Sequence, residues 1–562
     1  MTKQHHTLRP RHAHHSVLAA LLALTSAASS GCYRQAELYP DPAPRPTTTA
    51  AITDTIRFTT RADAARQADY SPVEPAAPTS QYIDAAVPAI LPEVPREFRG
   101  VWVATVGNLD WPSRRSLATA QQQQELLAIL DAAQANGLNA VIFQVRTMGD
   151  AFYDSPYEPW SDYLTGASDR APDPYWDPLQ FAIEQSHARG LELHAWFNPF
   201  RAGFTAKVTP LAARHVSKRR PDLVRRYGTH YWMDPGEPDA RRLALDVITD
   251  VVRRYDVDAV HVDDYFYPYL ERDARGSIIS FPDDASWREH GVATGMTRND
   301  WRRSNIDTFV EQMYHAVRAE KKHVRVGISP FGIWRPGHPA TVRGLDAYNE
   351  LYADTRKWLV NGWADYYAPQ LYWRTYAPQQ DYATLLQWWS EQNPFGRHIW
   401  AGNIPNSVTG GTRGWPATEI VEQVQLTRAS AGSTGNVHFS ATSLVRDAGG
   451  VFSSLRTGAY AVPALVPASP WLSDGLAPAP VVTAVLDPAL HATLLTLRSA
   501  GEPPSSWIVR SRRDGMWQIL ILPGTSDQTF VDGSPDMIVV SAVDRAGVEG
   551  GAAAIEAGSR AR

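Results

Sequence analysis

Cysteine is almost absent from this sequence of 562 residues, which contains only Cys32. A single cysteine excludes an intramolecular disulfide and a metal centre built on several thiolates. Basic residues are not in excess either, since 54 Lys and Arg stand against 59 Asp and Glu, with a net charge of −5. Because nucleic-acid-binding domains usually carry a basic face, this balance gives no support to nucleic acid as a partner.

Long apolar runs are also lacking near the N-terminus. The run Val17–Leu24 is well short of the ~20 residues that a membrane-spanning helix needs. Basic residues precede it and small residues follow it, which is typical of an export signal covering residues 1–32. The ending Ser29–Cys32 resembles a lipoprotein cleavage site and predicts lipidation of Cys32; ordinary signal cleavage is the alternative. Tyr33, where Asp would favour inner-membrane retention, predicts an exported outer-membrane lipoprotein facing the periplasm.

Aromatic residues are what the sequence has in excess, with 19 Trp and 23 Tyr. These side chains could fill a large core. They could equally line a sugar-binding cleft, because pyranose rings present flat C–H faces that stack on aromatic rings. Composition alone leaves both interpretations open.

Proline-rich stretches divide the chain into regions. Residues 33–94 predict an extended tether, or a leader without a role, and residues 463–480 predict a linker. Residues 95–462 between them predict one large domain. Short β-like runs with turn signals over residues 481–547 predict a β-sandwich of the fibronectin type III kind. Residues 548–562 are predicted to form a disordered tail.

A helical pattern followed by an apolar strand recurs through the large domain. Such alternation predicts a parallel sheet, either open or closed as a (β/α)8 barrel. No Gly-x-Gly-x-x-Gly or Walker loop follows any strand, which favours the barrel. The longest predicted loops, residues 201–238 and 265–305, follow the third and fourth strands. The predicted strands are Gly100–Thr105, Ala140–Val145, Leu191–Phe197, Asp258–Asp263, Val324–Ile328, Ala364–Gln370, His398–Gly402 and Asn436–Ser440.

Two adjacent acids, Asp263 and Asp264, close the fourth predicted strand. Strand alternation places Val260 and Val262 against helices, so that His261 and Asp263 point into the barrel and Asp264 lies at its rim. Carboxylates are costly to bury without partners, and function in barrels collects where strands end. The pair is therefore predicted to be catalytic. The structural alternative is that one acid binds loop N–H groups and the other pairs with an arginine.

Polar and aromatic side chains follow the other strand ends and predict a mouth suited to a polyhydroxylated ligand. Among the histidines, His194, His261 and His438 lie within strands and below this mouth, and the first strand lacks the His-x-His pair of metal-dependent barrel amidohydrolases. No metal or other cofactor is predicted, and the absence of Gly-x-Ser-x-Gly speaks against a serine nucleophile. The predicted substrate-binding residues are Gln144, Arg146, Trp196, Asn198, Arg201, Tyr265, Trp334, Gln370, Tyr372, Trp373 and Asn403.

Seven segments of the predicted barrel carry a family pattern. They are Glu97–Val103, Phe143–Arg146, Gly149–Ala151, Trp196–Pro199, His261–Pro268, Ile328–Trp334 and Pro369–Trp373. Their order resembles the glycosyl-hydrolase-like family ten and covers the whole barrel, residues 96–455. The resemblance implies a bacterial envelope protein, often a lipoprotein, with a trailing β-sandwich. A characterised relative is a divisome-localised hydrolase, which implies peptidoglycan glycan strands lacking stem peptides as the substrate.

Glycoside hydrolysis normally takes two carboxyl groups, one donating a proton and one acting as nucleophile or base. Asp150 is the predicted partner of the adjacent pair, with Asp110 and Asp234 in reserve. Arg146 is predicted to hold one carboxylate ionised. The seventh strand ends at Asn403 and supplies no acid, and an N-acetyl group of the substrate would make a second acid unnecessary. Two other functions stay open: a barrel that binds glycan without cutting it, and a metal-dependent polysaccharide deacetylase.

Overall fold

The structure is a computed structural model that describes residues 82–206, 209–409 and 414–558. All of them belong to one compact unit, Gln81–Arg562. The predicted export signal, Cys32 and most of the predicted tether lie outside these residues. None of the helices in the described ranges is long and apolar enough to cross a membrane.

The strands of the described ranges form a closed barrel and three further sheets. In chain order the strands are β1 Tyr82–Ala85, β2 Phe98–Val103, β3 Ala140–Arg146, β4 Glu192–Phe197, β5 Arg201–Phe204, β6 Val224–Tyr227, β7 His230–Met233, β8 Ala259–Val262, β9 Arg325–Ile328, β10 Tyr366–Tyr367, β11 His398–Asn403, β12 Ser433–Phe439, β13 Val481–Asp487, β14 Ala492–Arg498, β15 Ser506–Arg513, β16 Met516–Pro523, β17 Gln528–Asp532, β18 Met537–Val543 and β19 Glu549–Ala557. The α-helices are α1 Thr119–Ala135, α2 Asp162–Thr165, α3 Pro178–His187, α4 Val216–Arg219, α5 Pro238–Arg254, α6 Asp284–Ser286, α7 Arg298–Glu320, α8 Ala347–Glu350, α9 Thr355–Asn361, α10 Tyr382–Glu391, α11 Ala417–Ala429, α12 Ala441–Arg446 and α13 Val451–Thr457.

Eight parallel strands close the barrel in the order β10-β11-β12-β2-β3-β4-β8-β9. The predicted (β/α)8 barrel is therefore confirmed. Val260 and Val262 on β8 lie in the main core together with Val251 of α5 and Phe309 of α7. Fully burying a side chain of this size stabilises the fold by roughly 1.5–3 kcal/mol, which explains why these strands are apolar on the face toward the helices.

The barrel interior is filled with aromatic rings. Phe98 stacks on Trp400 with ring centroids 3.6 Å apart and an interplanar angle of 2°. The Tyr366 hydroxyl lies 2.9 Å from Nδ1 of both His194 and His261. Gly327 makes room for Tyr366, since a Cβ there would lie 1.9 Å from the tyrosine ring. Part of the aromatic excess is thus core, as one of the two interpretations predicted.

A small antiparallel sheet, β5-β7-β6, is inserted after β4. It lies within the first of the two long loops predicted from the sequence, residues 201–238. The second, residues 265–305, contains α6 and the start of α7. Arg201 is the first residue of the inserted sheet. The sheet therefore holds Arg201 in place at the barrel mouth.

The C-terminal part forms a β-sandwich of two antiparallel sheets, β1-β19-β18-β15-β16 and β13-β14-β17. Two predictions were wrong here. Residues 549–557, predicted as disordered, form β19, and residues 82–85, predicted as tether, form β1 and pair with it. The Gly- and Ala-rich sequence of β19 gives little apolar alternation, but its backbone is hydrogen-bonded on both sides. The likeness to fibronectin type III modules stays a prediction.

The sandwich contacts the end of the barrel where strands begin. Arg545 pairs with Asp256 and Asp258, just before β8, at 2.8 Å each. Ser469, in the predicted linker, accepts a hydrogen bond from Arg325 and bonds His398, at the starts of β9 and β11. The linker is therefore packed against the barrel floor, and the sandwich leaves the opposite, carboxyl face of the barrel uncovered.

Candidate active site

Asp263 lies at the carboxyl end of β8 with its side chain directed into the barrel mouth. The residue is 5% exposed. Nδ2 of Asn198 donates to Oδ1 and Oδ2 at 2.8 and 2.7 Å, and Nε1 of Trp196 donates to Oδ2 at 3.2 Å. The backbone N–H of Tyr265 adds a hydrogen bond to Oδ1 at 3.3 Å. Strand alternation predicted this inward direction, and the structure brings Asp263, Trp196 and Asn198 together.

Asn198 is itself held in one orientation by two further predicted residues. Its Oδ1 accepts from Nε2 of Gln144 at 2.6 Å and from Nη2 of Arg201 at 2.7 Å. Gln144 in turn accepts from the backbone N–H groups of Thr105 and Val106 at 2.9 Å. Because donors occupy Oδ1 of Asn198, its amide nitrogen must face Asp263. The carboxylate is thus fixed by a network that spans three neighbouring strands.

Asp264 turns away from Asp263 and meets a different set of side chains. It is 3% exposed, and the Tyr269 hydroxyl donates to its Oδ2. Burial, together with the charge of Asp263, raises the pKa of Asp264 to about 7, while hydrogen bonds from Tyr269 and Gln370 oppose that rise. Burial raises the pKa of Asp263 to about 6, opposed by the charge of Arg201 and by Asn198. Burial and the repulsion between the two charges therefore both favour a proton on this pair of acids.

Arg146 holds a carboxylate, but one that the sequence did not single out. It forms a two-pronged ion pair with Glu158, with Nε–Oε2 and Nη2–Oε1 distances of 2.8 and 2.5 Å. Its Nη1 donates to the backbone carbonyl of Asn198. The guanidinium that lowers the pKa of Asp263 belongs instead to Arg201. The sequence did not indicate this partner, because the glutamate lies 12 residues further along the chain; the charge of Arg146 also interacts with that of Asp150.

Asp150 lies in the turn after β3, where its Oδ1 accepts hydrogen bonds from Oγ1 of Thr147 and the N–H of Met148 at 2.7 and 2.8 Å. Nε of Arg201 donates to the Thr147 carbonyl at 2.9 Å, so Asp150 shapes the turn on which Arg201 rests. Its catalytic role stays a prediction. Asp110, held in reserve, binds Ser440 Oγ at 2.6 Å.

Asp234, the other reserve acid, is also committed to structural contacts. Its Oδ2 accepts from Ser286 Oγ at 2.7 Å, and its Oδ1 accepts from the N–H of Gly236 at 2.9 Å. Arg225 pairs with the same carboxylate at 3.2 Å. Asp234 therefore ties the inserted sheet to the loop after β8.

Two predicted substrate-binding residues, Asn403 and Trp334, pack against helices instead, as does the strand residue His438. Asn403 donates from Nδ2 to Gln423 of α11 at 2.8 Å, and His438 bonds Tyr460 at 3.0 Å behind β12. Trp334 stacks on Trp388 of α10 and donates to Asp354, so its ring packs among helices. On β11 apolar residues occupy both alternating sets, so the pattern could not show which set faces inward.

Half-buried aromatic rings line the mouth around the two acids. Arg201 lies 5.2 Å from the centroid of the Tyr265 ring, which meets Tyr269 edge to face. Tyr372 packs on Phe439 with ring centroids 6.1 Å apart. Trp373, next in the chain, meets Phe331 at 5.7 Å. Gln370 donates from Nε2 to the Ser329 carbonyl at 3.1 Å, which keeps it beside Asp264. These predicted residues do come together at one face.

Sequence reasoning missed three contributors. Tyr269 donates to Asp264, Trp102 donates from Nε1 to Nε2 of His261 beneath Asp263 at 3.2 Å, and Glu158 neutralises Arg146. Tyr269 could have been suspected, because it follows the acids in a loop rich in tyrosine, but nothing in the sequence singled it out from its neighbours. Within the described ranges, no three His, Cys, Asp or Glu side chains converge as metal ligands would.

A closed barrel with two buried acids at its carboxyl face, beneath aromatic rings, is typical of glycoside hydrolases. The chain belongs to the Glycosyl hydrolase-like 10 family, which residues 97–412 match. Glycosyl hydrolase YngK of Bacillus subtilis is 38% identical over 460 residues, covering 78% of this chain and 88% of that protein. Glycosyl hydrolase DigH of Escherichia coli K12 is 36% identical over 326 residues, covering 54% of this chain and 72% of that protein.

Solved structures resemble the chain more loosely. The glycoside hydrolase domain of PgaB (BpsB) from Bordetella bronchiseptica is 15% identical, with a TM-score of 0.42, covering 64% of this chain and 98% of that one. The catalytic domain of β-amylase from Paenibacillus polymyxa is 14% identical, with a TM-score of 0.44, covering 66% of this chain and 99% of that one.

Proposed function

We propose that the protein is a glycosidase that hydrolyses O-glycosyl bonds in a bacterial envelope polysaccharide, namely peptidoglycan glycan strands that lack stem peptides. The observation that carries the proposal is the pair Asp263 and Asp264, buried at the barrel mouth and each held by its own set of hydrogen bonds. Family membership and relatives named as glycosyl hydrolases support the reaction class.

The two acids suit different roles. Burial and the charge of Asp263 raise the pKa of Asp264, which therefore donates the proton to the departing sugar oxygen. Asp263, with Asn198, Trp196 and Arg201 around it, is the member that stays ionised. Environments that push the pKa values of neighbouring acids apart are how one site holds both an acid and a base.

The mouth suits a chain of sugars. The rings of Tyr265, Tyr372 and Trp373 are half-buried and offer stacking surfaces, and Gln370 offers an amide close to the acids. Trp196 lies at the bottom of the mouth, with 6% of its surface exposed. Ligand sites commonly combine such aromatic walls with a few fixed polar groups. A polysaccharide is therefore the proposed partner.

The cell envelope is the proposed location. The export signal and Cys32 of the sequence support an outer-membrane lipoprotein facing the periplasm. Radiolabelled palmitate incorporated into the full chain, and lost in Cys32→Ala, would support the lipid anchor. Label that is absent from the full chain, with release of a soluble mature protein, would favour ordinary signal cleavage.

Mass spectrometry of products tests the substrate. Purified protein is incubated with amidase-stripped peptidoglycan strands, with intact peptidoglycan and with a panel of plain glucans. We expect shorter glycan fragments without peptides from the stripped strands and no products from the glucans. Strands that are retained without new reducing ends would indicate a binding protein, and strands that lose acetyl groups in a chelator-sensitive manner would indicate a deacetylase.

A further inference from the structure

We propose that the nucleophile is the 2-acetamido group of the sugar whose bond is cut, with Asp263 holding that group and Asp264 acting as proton donor and acceptor. This inference rests on the proposed glycosidase function and deepens it, because it assigns a role in the reaction to the 2-acetamido group that the proposed substrate carries. Enzymes that supply their own nucleophile or base place two carboxyl groups on opposite sides of the bond, ~5–5.5 Å apart for retention and ~6.5–9.5 Å apart for inversion. Here both acids belong to one strand end.

The strand ends facing β8 across the barrel offer no such carboxylate in the described ranges. β12 lies opposite β8 in the barrel order and ends at Phe439 and Ser440, while its neighbour β11 ends at Asn403, which points to the helices. On the other side of β12, the loop after β2 carries Asp110. That carboxylate is occupied by Ser440 and by the N–H groups of Ala104 and Thr442.

Three further buried acids near this face are hydrogen-bonded within the protein. Glu158 pairs with Arg146, Asp234 with Ser286 and Arg225, and Asp150 accepts from the Thr147 turn. The loop residues 207–208 and 410–413, whose structure is not described, contain no Asp or Glu in the sequence. Within the described ranges, no strand end across the barrel from β8 therefore offers a second carboxyl group to the sugar. Asp150, in the turn after β3, is the protein alternative to a nucleophile that the substrate supplies.

Asp263 is placed to hold an acetamido group. It is fixed by Asn198, which Gln144 and Arg201 lock in one orientation, so its oxygens have a defined direction. A carboxylate oxygen has more than one acceptor site, so Asp263 can still accept the acetamido N–H. The aromatic rings of Trp196 and Trp102, both buried on the floor of the mouth, suit the acetamido methyl group.

The reaction then balances without an enzyme nucleophile. The acetamido carbonyl oxygen bonds to C1 as the C1–O glycosidic bond breaks, and the leaving oxygen takes the bond electrons and the proton of Asp264. Asp263 stabilises the positive charge that develops on the acetamido N–H in the cyclic oxazolinium intermediate. Water then attacks C1 and gives its proton to Asp264, the ring opens, and the amide is restored with retained configuration at C1.

An acyl series on the unmodified protein is the first test. Stripped glycan strands are chemically de-N-acetylated, and portions are re-acylated with acetyl or trifluoroacetyl groups; the re-acetylated strands are the matched control. We expect cleavage of the re-acetylated strands, at least ~100-fold slower cleavage with the electron-poor trifluoroacetyl group, and none of the free amine. Free-amine strands cut as fast as the control would overturn the inference and leave the proposed function intact.

Binding of a thiazoline derived from N-acetylglucosamine, which mimics the cyclic intermediate, is the second test and needs no turnover. Calorimetry should show binding to the wild type and to Asp131→Asn, an exposed change on α1, and at least ~10-fold weaker binding to folded Asp263→Asn. Equal affinity for Asp263→Asn, or no binding to the wild type, would overturn the inference. Thiazoline binding without any cleavage of stripped strands would instead contradict the proposed substrate.

Discussion

Asn198, at the end of β4, donates from one nitrogen to both carboxylate oxygens of Asp263, at the end of β8, at 2.8 and 2.7 Å. The two residues are 65 positions apart in the sequence, and neighbouring parallel strands bring them together. This contact fixes the direction of the Asp263 carboxylate and favours its ionised form. It therefore gives the first of the predictions that separate the roles of the two aspartates.

Replacing Asn198 with Ala should move the acid limb of the pH–activity profile to higher pH. The amide donates to the ionised form of Asp263, so its loss destabilises that form and raises the pKa of Asp263 above its value of about 6. A hydrogen bond to a charged group is worth ~1.5–3 kcal/mol, so we expect a shift of about one pH unit. The profile of kcat/KM measures it. Asn361→Ala, on an exposed helix end, is the control, and an unchanged acid limb in Asn198→Ala would contradict the prediction.

Replacing Tyr269 with Phe should move the alkaline limb of the pH–activity profile. The Tyr269 hydroxyl stabilises ionised Asp264, so its removal raises the pKa of Asp264 above about 7 and keeps the proton on to higher pH. The alkaline limb of kcat/KM should therefore shift upward, by about one pH unit. Tyr376→Phe removes a hydroxyl from an exposed ring and should leave the profile unchanged. A downward shift in Tyr269→Phe would refute the assignment of Asp264 as the acid.

Replacing Glu158 with Gln should destabilise the fold. It leaves the Arg146 guanidinium buried without its carboxylate partner, a change that typically costs ~3–5 kcal/mol. Urea unfolding followed by circular dichroism measures the free energy of unfolding. The surface pair Arg253–Glu320 gives the comparison, since Glu320→Gln should cost less than ~1 kcal/mol. Equal effects of the two changes would show that the buried pair has no special structural role.

Replacing Arg545 with Met should loosen the sandwich from the barrel floor, at a cost of about 3 kcal/mol, because Asp258 is buried there. Burial alone would raise the pKa of Asp258, but His187 and Arg545 hold it well below its usual range. That stabilisation is present above the unfolded pKa of ~3.9 and is lost as pH falls through the folded pKa. As the pH is lowered from ~5 through the acid range, the free energy of unfolding should therefore fall further for the wild type than for Arg545→Met. Scanning calorimetry at a series of pH values measures this difference. Arg512→Met, on the sandwich surface, is the control.

Much of the fold could be predicted because its signals are periodic. On β8 the alternating apolar pair Val260 and Val262 identified the helix-facing side, which gave the correct direction for Asp263. The same reasoning failed for Asn403 on β11, because Ile399 and Trp400 are apolar on opposite sides of that strand. Strand β19 escaped prediction because backbone pairing, and not apolar side chains, orders its Gly- and Ala-rich sequence.

The sequence indicated which strand ends form the site. It did not indicate which side chains there form hydrogen bonds with one another. Gln144, Asn198 and Arg201 were identified as mouth residues, but the order of their hydrogen bonds depends on distances between strands. Arg146 illustrates the limit, since its pairing with Glu158 depends on how one loop folds back. Tyr269 reaches Asp264 for the same reason.

The release of new reducing ends from amidase-stripped glycan strands tests the central claim most directly. The wild type and the exposed control Asp131→Asn should release them at equal rates, and folded Asp264→Asn should be slower by ~10²–10⁴-fold because its proton donor is gone. Full activity in Asp264→Asn, or no reducing ends from the wild type, would contradict the account.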